Sequence, residues 1–231
     1  MSLKGRTAVI TGAAGFLGQE IATTVAELGG NLLLVDKQGV DFSLLEKKIQ
    51  EHRDISVNYL NFDLENEIER VKLIKNINSY GQIDILFNNA AFVGDSKLNG
   101  WATEFENQSL DTWRRAFEVN LTSVFDLSKG LFPNLQKSKN GSIINISSIY
   151  GVNAPDYSLY EGLDMGNPAA YSVSKGGLIQ FTKWLASTLA PDIRVNAISP
   201  GGIYRGQDSS FVEKYENRTP LKRMAKEQDF K

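Results

Sequence analysis

The sequence predicts an α/β fold: a doubly wound parallel sheet in three layers, with helices on both faces. Short apolar runs rich in β-branched residues alternate with helical patterns along the chain. Such alternation is typical of right-handed strand–helix–strand crossovers, which produce a parallel sheet covered on both faces. The length of 231 residues suits one domain of this class. Because we find no repeat, linker or low-complexity tract, we expect residues 1–231 to form a single domain.

The first predicted unit is a strand, a glycine turn and a helix. The apolar run 7–10 leads directly to Gly12, Gly15 and Gly18, and apolar residues then recur at helical spacing from Ile21. Glycines permit a tight turn and let the backbone approach a pyrophosphate, whose negative charge suits a helix N-terminus. This order of strand, glycines and helix predicts a dinucleotide site.

A carboxylate after the second strand indicates which dinucleotide is bound. The apolar run 32–35 ends at Asp36. A carboxylate at this place accepts hydrogen bonds from the adenosine ribose hydroxyls and repels a 2′-phosphate. The sequence therefore favours NAD over NADP, although the neighbouring Lys37 offers a cation for a phosphate.

The remaining elements continue the alternation. Strands are predicted at residues 57–61, 83–88, 142–146 and 194–198. Helices are predicted at residues 44–51, 65–77, 110–135 (with Pro133 as a candidate break) and 169–189, and the polar stretch 95–108 is predicted to be a surface loop. Ligands of parallel sheets bind beyond the carboxyl ends of the strands. That rule gathers six scattered residues along one rim: Gly12, Asp36, Asp63, Asn89, Ser148 and Pro200.

The spacing of Tyr171 and Lys175 carries the most information about chemistry. The two residues are four positions apart on the last predicted helix, so their side chains share one face. An ammonium near a phenol favours the phenolate and lowers the tyrosine pKa, which would allow Tyr171 to act as a general acid or base. A solvated helix face gives the same spacing, so the pair gains its weight from the dinucleotide motif upstream.

Composition argues against several other classes of protein. The net charge of −2 gives no electrostatic case for binding nucleic acid or an anionic membrane. The lack of cysteine excludes disulfides and thiolate metal sites, and with a single histidine no metal site is expected. We see neither a signal-peptide core nor a long apolar run, so we expect a soluble cytoplasmic protein with a small-molecule substrate.

Six short motifs occur in the order typical of one family. They are Thr11-Gly12…Gly18, Asn88-Asn89-Ala90-Ala91, Asn120 within Val-Asn-Leu, Asn145-Ile146-Ser147-Ser148, Tyr171-x-x-x-Lys175 and Asn196-Ala197-Ile198-Ser199-Pro200-Gly201. With these motifs the chain resembles the short-chain dehydrogenase/reductase family over nearly its whole length. The resemblance implies a Rossmann-type sheet, a nicotinamide cofactor and hydride transfer between that cofactor and a carbonyl or alcohol.

The resemblance also implies four catalytic residues. Tyr171 would exchange a proton with the substrate oxygen, and Lys175 would lower the pKa of Tyr171 and hold the nicotinamide ribose. Ser148 would hydrogen-bond the substrate oxygen. Asn120 would bend the long helix locally and position a water linked to Lys175. Without the other motifs, Ser148 would be interpreted as a turn hydroxyl and Asn120 as a polar helix residue.

Cofactor contacts are implied in the same way. The phosphate turn is expected to comprise Gly12, Gly15, Phe16, Leu17 and Gly18. The adenosine end is expected to contact Asp36, Asp63 and Leu64, although Asp63 also suits the N-cap of the following helix. The remaining contacts are expected from Asn89, Ala90, Ala91, Tyr171, Lys175, Pro200 and Ile203, the last two facing the nicotinamide.

Three features depart from the family pattern. The spacing G-x-x-G-x-x-G replaces the G-x-x-x-G-x-G of compact members and is commoner among nucleotide-sugar epimerases and dehydratases. An insert, residues 150–168, separates Ser148 from Tyr171 and carries three tyrosines. The sequence stops before the last strand of its relatives, so that strand is expected to be lacking. Residues 204–231 are expected to form either a mobile lid over the substrate or a poorly ordered tail.

The insert and residues 204–231 are expected to form the substrate side of the site. Similar inserts occur in relatives from flagellin-modification and nonulosonic-sugar pathways, which implies a sugar-like substrate. The family also implies a homodimer or homotetramer where the C-terminal part is present. Two alternatives stay open: a nucleotide-sugar epimerase or dehydratase that retains NAD, and a nicotinamide-binding regulator without turnover.

Overall fold

The computed structural model describes residues 2–52, 54–94 and 97–231, in which six parallel strands form one sheet. They are β1 (Thr7–Thr11), β2 (Asn31–Asp36), β3 (Val57–Asn61), β4 (Ile85–Asn88), β5 (Gly141–Ile146) and β6 (Ile193–Ile198). Their order is β3-β2-β1-β4-β5-β6, so the direction of strand addition reverses between β1 and β4. The predicted doubly wound α/β fold is confirmed, and the reversal point is where such sheets bind ligands.

Seven α-helices occur in the described residues. They are α1 (Phe16–Glu27), α2 (Ser43–Ile49), α3 (Glu67–Asn78), α4 (Leu110–Phe117), α5 (Ser123–Leu135), α6 (Ala169–Leu189) and α7 (Ser209–Arg218). Side chains of β1 alternate between two cores: Ala8 and Ile10 pack with α1 and α2, whereas Val9 packs with α3, α5 and α6. This burial of both faces explains the continuous apolar runs of the strands. None of the helices in this part of the chain has the length and hydropathy needed to cross a bilayer.

A side-chain cap fixes the start of α3. Asn66 Oδ1 accepts hydrogen bonds from the backbone N–H groups of Ile68 (2.9 Å) and Glu69 (3.2 Å), which satisfies two donors that have no intrahelical acceptor. The suggestion that Asp63 is the N-cap is therefore wrong. Asp63 Oδ1 instead accepts from the N–H of Glu65 (2.9 Å), in the turn that precedes the helix.

The predicted helix 110–135 is continuous, but its irregularity lies at Asn120 and not at Pro133. A π-helical segment, Glu118–Thr122, joins α4 to α5 and widens the helix at Asn120. Pro133 lies inside α5 without ending it. Because a proline removes only its own N–H, and this one stands near the C-terminal end of α5, the helix continues past it to Leu135.

The predicted surface loop 95–108 is partly a core element; its residues Asp95 and Ser96 lie outside the described residues. Trp101 is only 2% exposed, packs against Ala116 and Ala170, and donates from Nε1 to the carbonyl of Val93 (2.7 Å). The buried Trp101 ring thus holds the loop against α4 and against α6, the helix that carries Tyr171 and Lys175.

The polar segment 204–231 is folded. It carries α7 and a 3-10 helix, Glu227–Phe230, and its end packs on α1, where Lys231 Nζ lies 2.7 Å from Glu27 Oε1. Phe230 contacts the core between α1 and the sheet. The expectation of a poorly ordered tail is therefore wrong, and the expectation of a lid stays a prediction.

Candidate active site

A cleft of about 770 Å³ lies along the carboxyl ends of the strands, at the reversal point between β1 and β4. It gathers nearly all residues that the sequence placed at the site: Gly12, Gly15, Phe16, Leu17, Gly18, Asp36, Asp63, Leu64, Asn89, Ala90, Ala91, Ser148, Tyr171, Lys175, Pro200 and Ile203. Asn120 is the exception. It is fully buried and contacts Phe92, which itself lines the cleft.

The glycine turn has no room for side chains at its two ends. Gly12 has a φ of +64°, and a Cβ there would lie 2.8 Å from the Cα of Ala90. A Cβ on Gly18 would meet the carbonyl oxygen of Gly12. Gly12 is therefore required by conformation and close approach, and Gly18 by close approach alone.

The N-terminus of α1 faces this cleft without a capping side chain. Gly15 is its N-cap, and the first turn holds no acidic residue. The first N–H groups of a helix lack intrahelical acceptors, and the helix dipole adds partial positive charge at this end. The turn thus fits the pyrophosphate of a dinucleotide, which the backbone from Gly15 to Gly18 would hold.

Asp36 lies at the end of β2, against the glycine turn. Its Oδ2 accepts from the N–H of Ala14 (2.9 Å) and its Oδ1 from the N–H of Lys37 (2.9 Å). Each carboxylate oxygen accepts more than one hydrogen bond, so ribose hydroxyls can still be bound. Lys37 also lines the cleft.

Asn89 joins β1 to the end of β4 at the reversal point. Its Nδ2 donates to the carbonyls of Thr11 (2.9 Å) and Gly12 (3.0 Å). Thr11 Oγ1 in turn accepts from the N–H groups of Asn89 (3.0 Å) and Ala90 (3.1 Å). Asn89 therefore holds the glycine turn in place, a function that the sequence motif did not indicate.

Tyr171 of α6 lies beside Ser148, which follows β5. Burial raises the pKa of Tyr171, and a hydrogen bond with the Ser148 side chain opposes this increase. Ser148 Oγ also accepts from the N–H of Tyr150 (3.1 Å), which orients the serine hydroxyl. The end of β5 and the start of α6 thus place a phenol and a hydroxyl side by side at the cleft.

Lys175 shares a face of α6 with Tyr171, as the spacing predicts. Its Nζ lies 5.9 Å from the centre of the Tyr171 ring and donates to the carbonyl of Ile146 (2.7 Å). Lys175 is 2% exposed, and burial lowers the pKa of Lys175 to about 8. The expected lowering of the Tyr171 pKa is wrong in direction, because burial of the phenol outweighs the groups that favour its phenolate.

Asn120 connects the segment after β4 with α6. Its Oδ1 accepts from the N–H of Phe92 (2.7 Å), and its Nδ2 donates to the Phe92 carbonyl (3.2 Å) and to Ser174 Oγ (3.1 Å). The predicted bend coincides with the π-helical segment. Through Ser174, the residue before Lys175, these bonds connect Asn120 to the part of α6 that borders the cleft. The role of Asn120 in positioning a water stays a prediction.

The insert 150–168 packs against α7. Arg218 Nε lies 2.8 Å from Asp156 Oδ2, and Leu159 and Phe211 share a small apolar cluster. Within the insert the hydroxyls of Tyr150 and Tyr160 are 2.6 Å apart, and burial raises the pKa of Tyr150 and of Tyr160. The insert thus holds two uncharged hydroxyls against each other, and its first residue, Tyr150, contacts Ser148 through its backbone N–H.

Two arginines of the cleft were not singled out from the sequence. The guanidinium carbon of Arg205 lies 4.6 Å from the centre of the Phe16 ring, and that of Arg115 lies 4.7 Å from the centre of the Phe92 ring. Cations over aromatic faces are attracted by the ring quadrupole. Arg205 follows Ile203 closely enough to be suspected from the motif, whereas Arg115 lines the cleft only because the fold places α4 beside it.

The model of the short chain dehydrogenase family matches residues 6–215. The chain therefore belongs to the short-chain dehydrogenases/reductases, and it is an oxidoreductase of that class. Among curated relatives, the 3-oxoacyl-(acyl-carrier-protein) reductase FabG of Thermotoga maritima is 32% identical over 99% of this chain and 88% of its own. A Rhizobium meliloti protein named as a galactose dehydrogenase is 29% identical over 96% of this chain and 83% of its own.

Two solved structures show similar folds with different cofactors. A Beutenbergia cavernae protein named as an NAD(P)-dependent gluconate 5-dehydrogenase, with NADP at low occupancy, is 26% identical with a TM-score of 0.85 over 99% of this chain and 87% of its own. An NAD+-bound xylitol dehydrogenase is 25% identical with a TM-score of 0.84 over 100% of this chain and 90% of its own. These relatives support NAD(P) binding and leave the choice between NAD and NADP open.

Proposed function

We propose that the protein interconverts a hydroxyl and a carbonyl group on a small polar substrate with a nicotinamide dinucleotide. The observation that carries this proposal is the pair of hydroxyls of Tyr171 and Ser148, which line the same cleft as the uncapped N-terminus of α1. A dinucleotide held at the turn and a substrate oxygen held at the two hydroxyls would share one continuous space.

In this proposal the dinucleotide, when bound, supplies or accepts the hydride. Tyr171 gives a proton to the substrate oxygen during reduction and takes it back during oxidation. Since burial raises the pKa of Tyr171, the phenol is protonated at neutral pH and suits the reducing direction. Ser148 donates a hydrogen bond to the same oxygen.

Lys175 has two tasks in the proposal. With a pKa of about 8 it is mostly cationic at neutral pH. The ammonium would bind the ribose hydroxyls and stabilise the phenolate of Tyr171 once the proton has left. Lys175 thus stabilises Tyr171 after the proton has been transferred to the substrate, although it does not lower the pKa of Tyr171 before the transfer.

We propose NAD as the preferred cofactor. The support is the carboxylate of Asp36, which the N–H groups of Ala14 and Lys37 hold at the end of β2. A 2′-phosphate on the adenosine ribose would meet this negative charge. Lys37 and Arg205 line the same cleft and reduce the size of the preference.

We propose a sugar or polyol as the substrate. Relatives named for galactose, gluconate and xylitol support this class. The insert that carries the hydroxyl pair of Tyr150 and Tyr160 starts two residues after Ser148, which places polar groups on the substrate side in this proposal. A 3-oxoacyl thioester is the second candidate, because curated relatives such as the Thermotoga maritima protein reduce 3-oxoacyl groups by name.

A substrate panel tests these proposals. Absorbance at the nicotinamide band would be followed with NAD+ or NADP+ and polyols or aldoses, and with NADH or NADPH and keto sugars or 3-oxoacyl thioesters. Turnover on the sugar class that Tyr171→Phe abolishes would support the proposal, and turnover on thioesters alone would favour the second candidate. Conversion of a nucleotide sugar without net change in NADH would instead indicate an epimerase or dehydratase.

A further inference from the structure

The segment Pro200–Ile203 forms part of the cleft, and a tyrosine of α7 supports it from behind. Tyr215 Oη accepts a hydrogen bond from the N–H of Gly202 at 2.6 Å. Pro200, Gly201 and Ile203 line the cleft itself, whereas Tyr215 does not. The tyrosine therefore acts on the wall of the site without reaching into it.

Gly201 and Gly202 lie so close to the Tyr215 ring that neither position has room for a side chain. A Cβ on Gly202 would lie 2.9 Å from Tyr215 Cζ and 2.9 Å from Met224 Cε, and a Cβ on Gly201 would lie 2.9 Å from Tyr215 Oη. Neither glycine has a positive φ. Because conformation does not require glycine at either position, the close approach of the Tyr215 ring explains the pair.

A short backbone bridge holds the same segment from another side. The carbonyl of Gly202 accepts from the N–H of Ala225 (3.0 Å), and the N–H of Tyr204 donates to the carbonyl of Ala225 (2.9 Å). Gly202 thus has both its backbone groups bonded to the C-terminal segment, the N–H through a side chain and the carbonyl through the backbone.

The Tyr215 ring is in turn positioned by the insert. Phe211 stands between the two, with its ring centre 5.9 Å from that of Tyr215 and 5.5 Å from that of Tyr160. Lys214 Nζ donates to the carbonyl of Glu161 (3.0 Å), and Arg218 pairs with Asp156, so α7 is tied to the insert at two further points beyond Phe211. A continuous set of contacts therefore runs from the insert to Gly202.

From these contacts we infer that Tyr215 is a positioning residue for the reaction. Its hydroxyl fixes the Gly202 amide and thereby sets how far the Pro200–Ile203 wall stands from Tyr171. The inference rests on the proposed function, since that wall is where the nicotinamide would lie. Residues of the insert, which contact α7, adjust the same distance through Phe211.

The first test is Tyr215→Phe in the full chain, which keeps the ring against Phe211 and removes the hydroxyl. Tyr80→Phe, which removes the hydroxyl of an exposed ring beyond the end of α3, is the matched control. Loss of one hydrogen bond with its donor left unpaired weakens an equilibrium by about 5- to 140-fold. We expect the Kd for NADH, measured by fluorescence, to rise by about that factor and kcat to fall, while the substrate KM stays near that of Tyr80→Phe.

A second measurement is independent of the cofactor. Amide hydrogen exchange of the peptide that covers residues 200–204 should become at least about tenfold faster in Tyr215→Phe, with exchange in α6 unchanged. Unchanged exchange there, or a lower melting temperature with unchanged Kd and kcat, would overturn the inference and leave Tyr215 a purely structural residue. If the wild-type chain bound neither NADH nor NADPH, the proposed function would fail. If wild type and Tyr215→Phe bound NADH equally well, the proposed function would stand and only the positioning role of Tyr215 would be contradicted.

Discussion

At the scale of single residues, burial sets the chemistry of Tyr171 and Lys175 more strongly than their mutual attraction does. Burial disfavours the charged form of both groups, so the pKa of Tyr171 is raised and the pKa of Lys175 is lowered to about 8. The shift of Lys175 brings its pKa closer to neutral pH, whereas the shift of Tyr171 moves its pKa further away and keeps the phenol protonated.

Tyr171→Phe should separate proton transfer from binding. Loss of a general acid or base typically costs about 100-fold or more in turnover, and we expect kcat to fall by at least that factor. The Kd for NADH should change less than about twofold, since a phenyl ring keeps the packing of Tyr171. Ser172→Ala on the same helix is a suitable control. An equal loss in both variants would contradict the assigned role.

Lys175 gives a prediction on stability. At pH 7 both the folded and the unfolded state bind the proton, and above pH 8 the folded state releases it first. Because the unfolded state then binds more protons, the free energy of unfolding rises between about pH 8 and 10.5. The separation of the two pKa values, 10.5 and about 8, corresponds to roughly 3 kcal/mol.

Denaturant unfolding of wild type and Lys175→Met at several pH values measures this effect. Between pH 8 and 10.5 the free energy of unfolding of the wild type should increase relative to that of Lys175→Met, by up to about 3 kcal/mol. A parallel course of the two stabilities over this range would show that Lys175 is not buried in the folded state. Lys183→Met, a change at an exposed lysine of the same helix, is the matched control variant.

Residue identity was more predictable from the sequence than residue environment. The sequence predicted that Gly12, Asp36 and Ser148 share one rim, and all three line the cleft, because parallel strands bring their carboxyl ends to one edge of the sheet. The direction of the Tyr171 pKa could not be predicted, because it depends on burial by segments distant in sequence. Tyr215 carries no motif, and only the folded α7 brings it to Gly202.

At the scale of elements, strands and long helices were predicted well, whereas the buried part of the loop at Trp101 was not, and a bend at Asn120 was expected only from the family resemblance. The predicted ranges 57–61 and 169–189 coincide with β3 and α6, whose patterns are set by local periodicity. The loop around Trp101 and the π-helical segment at Asn120 were harder, since both depend on tertiary contacts. Trp101 is buried by α4 and α6, and Asn120 is bonded to Phe92 and Ser174.

The π-helical segment yields a prediction of its own. Asn120→Ala removes three hydrogen bonds and leaves both backbone groups of Phe92 without this partner. Unpaired buried groups cost about 1–3 kcal/mol each, so we expect a loss of roughly 2–5 kcal/mol in the free energy of unfolding, with a loss of activity as α6 moves. Urea unfolding measures it. Asn107→Ala, at an exposed position, is the control, and a loss no larger than that of the control would refute the bracing role of Asn120.

At the scale of the whole molecule, the strand order places the ligand cleft between the two halves of the sheet, so that a bound ligand would stabilise the folded protein. The cleft lies between the two halves of the sheet and is lined by residues from both, so a bound dinucleotide would connect them. A ligand that binds only the folded state raises the free energy of unfolding by about 2.7 kcal/mol at 100 times its Kd. A homodimer or homotetramer stays a prediction of the family resemblance, and light scattering on a size-exclusion column would measure it.

Because a more tightly bound ligand raises the melting temperature more, the preference for NAD can be measured from melting temperatures. We expect the wild-type melting temperature to rise more with NADH than with NADPH at equal concentration, because the Asp36 carboxylate opposes a 2′-phosphate. Asp36→Asn is the informative variant, since its amide oxygen can still accept from the N–H of Ala14 while the charge is lost. The difference between the two cofactors should shrink or reverse in this variant. If wild type and Asp36→Asn showed the same difference, the charge of Asp36 would have no part in cofactor choice, and Lys37 and Arg205 would be the next residues to change.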